Sequence, residues 1–165
     1  MHEKIVSFVG RGSLSGKTSV IERVIAELKH RGRTLAVVKH GIHMQVPDKE
    51  GKDTFRFARQ GADRVMMFSD DSLFMYEYTP PTVEYLVSLA VKDVDIVLVE
   101  GFKAGPFRKI EVFNSQVYET PLYVDHPGPD YIALVSDKKL HVPIPRFSFD
   151  DTSGLCDLIE RMTHS

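Results

Sequence analysis

The ten residues Gly10-Arg-Gly-Ser-Leu-Ser-Gly-Lys-Thr-Ser19 narrow the folds open to this chain more than any other stretch. They stand between an apolar run, Ile5 to Val9, and a helical pattern that begins at Lys17. Strand, glycine-rich turn and helix in that order form a phosphate-binding unit. Successive backbone N–H groups of the turn point into one nest, and the positive end of the helix dipole faces the same spot. In such a unit Gly12, Ser13, Leu14, Ser15, Gly16 and Ser19 surround the phosphates, Lys17 reaches the β- and γ-phosphates, and Thr18 offers its hydroxyl to a magnesium ion. The spacing departs from the usual pattern of glycine, four residues, then Gly-Lys-Ser/Thr. Where the first glycine belongs stands Arg11, with Gly10 and Gly12 on either side. Either the turn carries one extra residue after Gly10, or Gly12 takes the role one step late.

The helix from Lys17 to His30 carries Val20, Ile21, Val24, Ile25 and Leu28 on one stripe, and Gly32 is placed to end it. Thr34 to Val38, rich in β-branched residues, is a second strand, so the unit reads as a parallel pair with a right-handed crossover. Val94 to Glu100 is the most apolar run and is expected to be a central strand covered on both faces. Lys109 to Phe113 and Tyr131 to Val135 are further strands. Arg64 to Phe68 and Leu73 to Tyr78 flank Ser69-Asp-Asp-Ser72 and suggest an antiparallel hairpin at a sheet edge. Thr79-Pro-Pro81 reads as a helix start, Asn114 to Asp130 as irregular, and Thr152 to Met162 as a final helix. The expected fold is α/β, a P-loop NTPase-like three-layer sandwich whose sheet is mostly parallel with antiparallel edge strands. At 165 residues without a Gly/Ser/Pro-rich linker, the chain reads as one domain, 1–165.

A formal charge of −2 supplies no strong overall field for nucleic acid or an acidic membrane, so neither is expected as a partner. A lone cysteine, Cys156, excludes an intramolecular disulfide framework and a multi-cysteine zinc site. No apolar run approaches a membrane span and no signal-peptide core is present, so a cytoplasmic protein is the expectation.

In an open parallel sheet, ligands bind outside the carboxyl ends of the strands. That rule gathers the phosphate loop, Lys39 and His40 after the second strand, Glu100 and Lys103 after the strong central strand, and Asp137 after a late one. Glu100 is the carboxylate suited to the metal, since a buried acid needs a cation or donors. Asp137 is placed to pair with a guanine edge or to serve as an ordinary turn residue, and the residues leave the base open. Lys39 to Asp53 is a long polar stretch without periodicity. His40 and His43, with Asp48 or Asp53, fit either a transition-metal site or contact with an anionic ligand, and Asp53 alternatively fits a magnesium-side residue of a switch-like loop.

Gly-Lys-Thr-Ser19, Val-Lys-His40 with His43, Gly-Lys-Asp-Thr54 followed by Gly61-Ala, and Val-Glu-Gly-Phe-Lys103 followed by Lys109-Ile-Glu-Val112 occur in an order and spacing that resemble the MobB family. These are the molybdopterin-guanine dinucleotide biosynthesis proteins B, and the resemblance runs from about Lys4 to Asp137. It implies a homodimeric P-loop protein that binds GTP and Mg2+ at Ser15 to Ser19 with Glu100 near the metal. It further implies weak GTP hydrolysis beside the guanylyltransferase MobA, which attaches GMP to molybdopterin. The rim of Lys39, His40 and Lys103 then becomes a place for an anionic pterin or a bound partner. Rival readings are a small-molecule P-loop kinase, a GTP-dependent metal chaperone and a nucleotide-gated adaptor.

Overall fold

The structure, a computed structural model, describes residues 2–41 and 52–163. In chain order its elements are β1 (Ile5–Val9), α1 (Lys17–His30), β2 (Leu35–Lys39), α2 (Asp53–Arg59), β3 (Arg64–Phe68), β4 (Leu73–Glu77) and α3 (Val83–Ala90). There follow β5 (Ile96–Glu100), β6 (Arg108–Phe113), α4 (Leu122–Asp125), β7 (Tyr131–Ser136), β8 (Arg146–Phe147) and α5 (Thr152–Thr163). They fall into two units, one made of Met1–His40 and Val87–Ser165, the other of Gly41–Leu86.

The larger unit is built on a sheet in the order β2-β5-β1-β6-β7-β8, with every neighbouring pair parallel. Apolar residues of both parities put β1 and β5 in its middle. Val6, Phe8, Ile96 and Leu98 face one way and meet Val20, Ile21, Val24 and Leu28 of α1 and Leu155, Cys156 and Ile159 of α5. Ile5, Val9, Val97 and Val99 have the opposite parity and are buried as well. Gly32, at φ +80°, ends α1 as expected: its N–H donates to Lys29 O at 3.0 Å and that of Arg33 to Leu28 O at 3.0 Å. The prolines before β8 leave only a two-residue edge strand.

Arg31, just past α1, joins that helix to α5. Its Nε donates to Glu27 Oε1 at 2.8 Å, its Nη1 to Asp157 Oδ1 at 2.6 Å and Glu160 Oε2 at 2.8 Å, and its Nη2 to Ser153 Oγ at 2.9 Å. Arg31, followed by Arg33, holds the Glu160 carboxyl below its ordinary pKa of 4.5 against the pull of partial burial. A depressed carboxyl pKa contributes stability that is present above 4.5 and is lost as pH falls through the lower folded value. Arg31→Ala is therefore expected to lower the neutral-pH melting temperature by about 2–4 °C. It should also flatten the acid side of the melting profile; an unchanged acid limb would remove this network from the account. Cys156, on the face of α5 turned to α1, is fully buried, with its thiol pKa pushed up to about 12 by burial.

In the smaller unit α2 packs on the hairpin of β3 and β4, which pair antiparallel with Arg64 opposite Glu77. Arg64 Nη2 donates to Glu77 Oε1 at 2.7 Å and the Tyr85 hydroxyl to Glu77 Oε2 at 2.8 Å. Large apolar side chains remain exposed on this hairpin, Phe68 at 83% and Leu73 at 64%.

The α/β class and the mostly parallel sheet are as expected, with refinements. The hairpin forms a two-stranded sheet of its own instead of edge strands of the main one. Helix α3 starts at Val83, beyond the prolines, because the Thr82 hydroxyl caps it by accepting the Tyr85 N–H at 3.2 Å. Within the segment expected to be irregular lies the short α4. Among the described residues no helix is long and apolar enough to cross a membrane.

Candidate nucleotide site at the carboxyl rim of the sheet

Adjacent parallel strands bring the ends of β1 and β5 together. Gly101 N donates to Phe8 O at 2.9 Å, and Ser7 Oγ donates to Gly101 O at 2.6 Å. From β1 the chain passes through extended Gly12, a tight turn at Ser13–Ser15 and left-handed Gly16, at φ 89°, into α1. Leu14 projects outward, 67% exposed, while Ser15 is buried and its Oγ donates to Gly12 O at 2.8 Å. Thr18 and Ser19 lie exposed in the first helical turn.

Lys17 folds back over the loop. Its Nζ donates to Gly12 O at 2.6 Å and to Ser15 Oγ at 3.0 Å, and the residue is 9% exposed. Burial lowers its pKa from 10.5; Glu100 opposes that, and the ammoniums of Lys103 and Lys39 add to it. Thr18 Oγ1 donates to Glu100 Oε1 at 3.2 Å, and Lys39 Nζ lies 3.6 Å from Glu100 Oε2. His40 N donates to Glu100 O at 3.0 Å, and its ring stacks on Phe102 at 4.9 Å between centroids. Phe102 sits in the left-handed region at φ 60°, directly after Gly101 at φ 87°, so the loop leaving Glu100 turns sharply and sends Lys103 back toward the phosphate loop. Lys17 feels the charges of Glu100, Lys103 and Lys39, so three ammoniums against one carboxylate give the rim a positive field suited to a polyanion.

The question of the first glycine has a steric answer. A methyl on Gly10 would stand 2.8 Å from Val112 O and 2.4 Å from Ser15 Oγ, whereas one on Gly12 would meet only the end of a side chain, the Tyr118 hydroxyl, at 2.4 Å. The backbone of a buried strand cannot retreat, so Gly10 makes the obligatory close approach and Arg11 is the extra residue.

Of the other residues singled out from sequence, Asp137 follows β7, two strands from β1 along the same rim. Its carboxylate accepts Ser115 N at 2.8 Å and Ser115 Oγ at 2.9 Å. Burial pulls its pKa up, but the hydrogen bonds from Ser115 outweigh this and hold it below the ordinary value. Asp53 belongs to the smaller unit, where it opens α2 and takes Arg56 Nη1 at 3.3 Å. His43 and Asp48 lie outside the described residues. Sequence reasoning gave no role to Glu111, Thr120 or Asp125; the last two engage Arg11 directly, and Glu111 interacts with its charge. The signal for Glu111 was available, an acid inside the apolar strand Ile110-Glu111-Val112.

Parallel order, glycine-rich loop and helix together define a protein of the P-loop NTPase-like fold. The family model for molybdopterin guanine dinucleotide synthesis protein B matches residues 5–137. The molybdopterin-guanine dinucleotide biosynthesis adapter protein of Haemophilus influenzae is 30% identical over 154 residues, covering 91% of this chain and 84% of that protein. Its Escherichia coli counterpart, under the same name, is 30% identical over 152 residues, covering 88% and 85%. The crystal structure of Bacillus subtilis MobB superposes with a TM-score of 0.76 at 28% identity, covering 97% of this chain and 98% of that one. The chain belongs to the MobB family, and its role lies in molybdenum cofactor biosynthesis.

Proposed function

We propose that this chain is a GTP-binding, weakly GTP-hydrolysing adapter that works in the cytoplasm beside the guanylyltransferase MobA. There it assists the attachment of GMP to molybdopterin. The observation that carries the reading is Lys17, a buried ammonium satisfied by Gly12 O and Ser15 Oγ at the mouth of the loop, with Thr18 and Glu100 joined beside it. Hydroxyl and carboxylate oxygens are the donors that a hard cation takes, so Thr18 and Glu100 suit magnesium. Magnesium, when bound, neutralises charge on the β- and γ-phosphates. Lys17 and the loop amides orient the phosphates and share their charge, while Lys39 and Lys103 add positive field at the rim. Slow hydrolysis fits the placement of Arg11, the arginine of the loop, whose guanidinium is committed to Thr120 instead of reaching over the phosphates.

Lys39, His40 and Lys103 offer an exposed edge for an anionic pterin, with the His40 ring already stacked on Phe102. Asp137 serves the guanine. The exposed apolar hairpin of the smaller unit supports pairing with a second copy of the chain.

Titration of the full chain with GTP and ATP, with and without magnesium, tests the reading. Magnesium-dependent binding that prefers GTP, with the preference lost in Asp137→Asn, is expected. Preference for ATP would overturn it.

A further inference from the structure

The segment that follows β6, residues 114–125, is held at the sheet by Glu111, by Asp137, whose carboxylate takes Ser115 N and Oγ, and by the packing of Tyr123 on Tyr131, and at the phosphate loop by Arg11 and Gly12. Glu111 is fully buried in β6, and its carboxylate accepts the N–H of Leu122 and, at 2.8 Å, that of Tyr123. Burial raises the Glu111 pKa, while these two N–H groups and the charges of Arg11 and Lys103 pull it the other way. The first tie to the loop is Arg11. Its Nε donates to Thr120 O at 2.6 Å, and its Nη2 donates to Thr120 Oγ1 at 2.9 Å and pairs with Asp125. The second is Gly12, packed so closely under the Tyr118 hydroxyl that a methyl there would stand 2.4 Å from the oxygen.

The same two loop residues hold lysines through their backbone oxygens. Lys103 Nζ donates to Arg11 O at 3.0 Å, and Lys17 Nζ donates to Gly12 O at 2.6 Å. Phosphate oxygens bind ammoniums more strongly than neutral carbonyls do, so an incoming triphosphate competes for both. Residues 11 and 12 therefore give up cations on one side while carrying the strap, 114–125, on the other. A ligand moves a distant segment only through contacts that differ between two arrangements, and here the arrangements are lysines on loop carbonyls and lysines on phosphates.

We propose that Arg11 is a positioning residue that couples filling of the phosphate loop to the strap 114–125, giving a partner a surface that differs between the nucleotide-loaded and nucleotide-free protein. This rests on the nucleotide reading of the loop. The residue that breaks the loop's usual pattern is in this account the arm through which the loop acts on its neighbour. Its fork shape matters, because a single guanidinium engages a carbonyl, a hydroxyl and a carboxylate at once.

Hydrogen exchange of residues 114–125 in the full chain, with and without magnesium-GTP, tests the coupling. In the wild type, added magnesium-GTP should change strap exchange several-fold. In Arg11→Ala and Arg11→Lys the loop-facing part of the strap, residues 118–125, should exchange at one rate whether or not nucleotide is bound; residues 115 and 116 are left out of this readout because Asp137 holds them directly. By reciprocity, nucleotide affinity should shift roughly fivefold or more in these variants, falling where nucleotide slows strap exchange in the wild type and rising where it speeds it. Asp125→Asn lies outside the loop and should act in the same direction, which keeps the test open should an Arg11 variant fail to fold. A nucleotide-induced difference that survives in the variants, even if both rates are faster, would show a merely structural arginine and overturn the coupling. Wild-type binding with no change at the strap would do the same. No binding of magnesium-GTP by the wild type would instead overturn the nucleotide reading, and this inference with it.

Discussion

Lys17→Ala should weaken magnesium-GTP binding by roughly 10- to 100-fold, the range for losing a hydrogen bond from a charged group in a partly dry site. The chain should stay folded, because Lys17 sits on the loop surface of α1 while Val20, Ile21, Val24 and Leu28 hold that helix in the core. The pH dependence gives a sharper signature. Phosphate binding needs the ammonium form, and burial has lowered the Lys17 pKa from 10.5. Wild-type affinity should therefore decline with rising pH earlier than a solvated lysine would dictate, and this limb should vanish in Lys17→Ala. Titrations of a fluorescent GTP analogue across alkaline pH would measure both. Affinity unchanged by the substitution would remove Lys17 from the site, and an equally early decline in Lys17→Ala would show that the limb does not come from Lys17.

The second large effect is expected at Gly10. Its added methyl would collide with Val112 O, Ser15 Cβ and Ser15 Oγ, at 2.8, 2.9 and 2.4 Å. Overpacking against a buried strand costs about 1–3 kcal/mol, so Gly10→Ala should lower stability by that amount and displace Ser15 from Gly12 O. Gly12→Ala needs only a small rotation of Tyr118 and should cost less than about 1 kcal/mol. Denaturant melts of the two variants decide between the glycines. Equal losses, or a larger one at Gly12, would reverse the placement of the loop.

Much of the larger unit was legible because its signals are local. Apolar runs at Ile5–Val9 and Ile96–Glu100 become central strands, the stripe on α1 becomes its core face, and Gly32 takes the left-handed turn that ends it. The rim was legible through one topological rule, which brought Thr18, Lys39 and His40 to Glu100. What the sequence did not disclose depends on contacts distant in the chain. No local pattern tells an antiparallel hairpin whether it joins a larger sheet, and among the described residues β3 and β4 pair only with each other. Arg11 looked like a flaw in the loop because its partners, Thr120 and Asp125, lie more than a hundred residues on. Glu111 carried a readable signal, a charge in a buried strand, but the backbone N–H groups that satisfy it come from a short helix without periodicity.

Cys156, on the buried face of α5 against α1, has a consequence for how the protein can be studied. A thiol that is fully buried and protonated up to about pH 12 stays silent toward maleimides while the fold is intact. The native chain is thus already a blank background for labelling, and an exposed position such as Gln116 can carry a single spectroscopic probe through Gln116→Cys without deleting any native residue of the core.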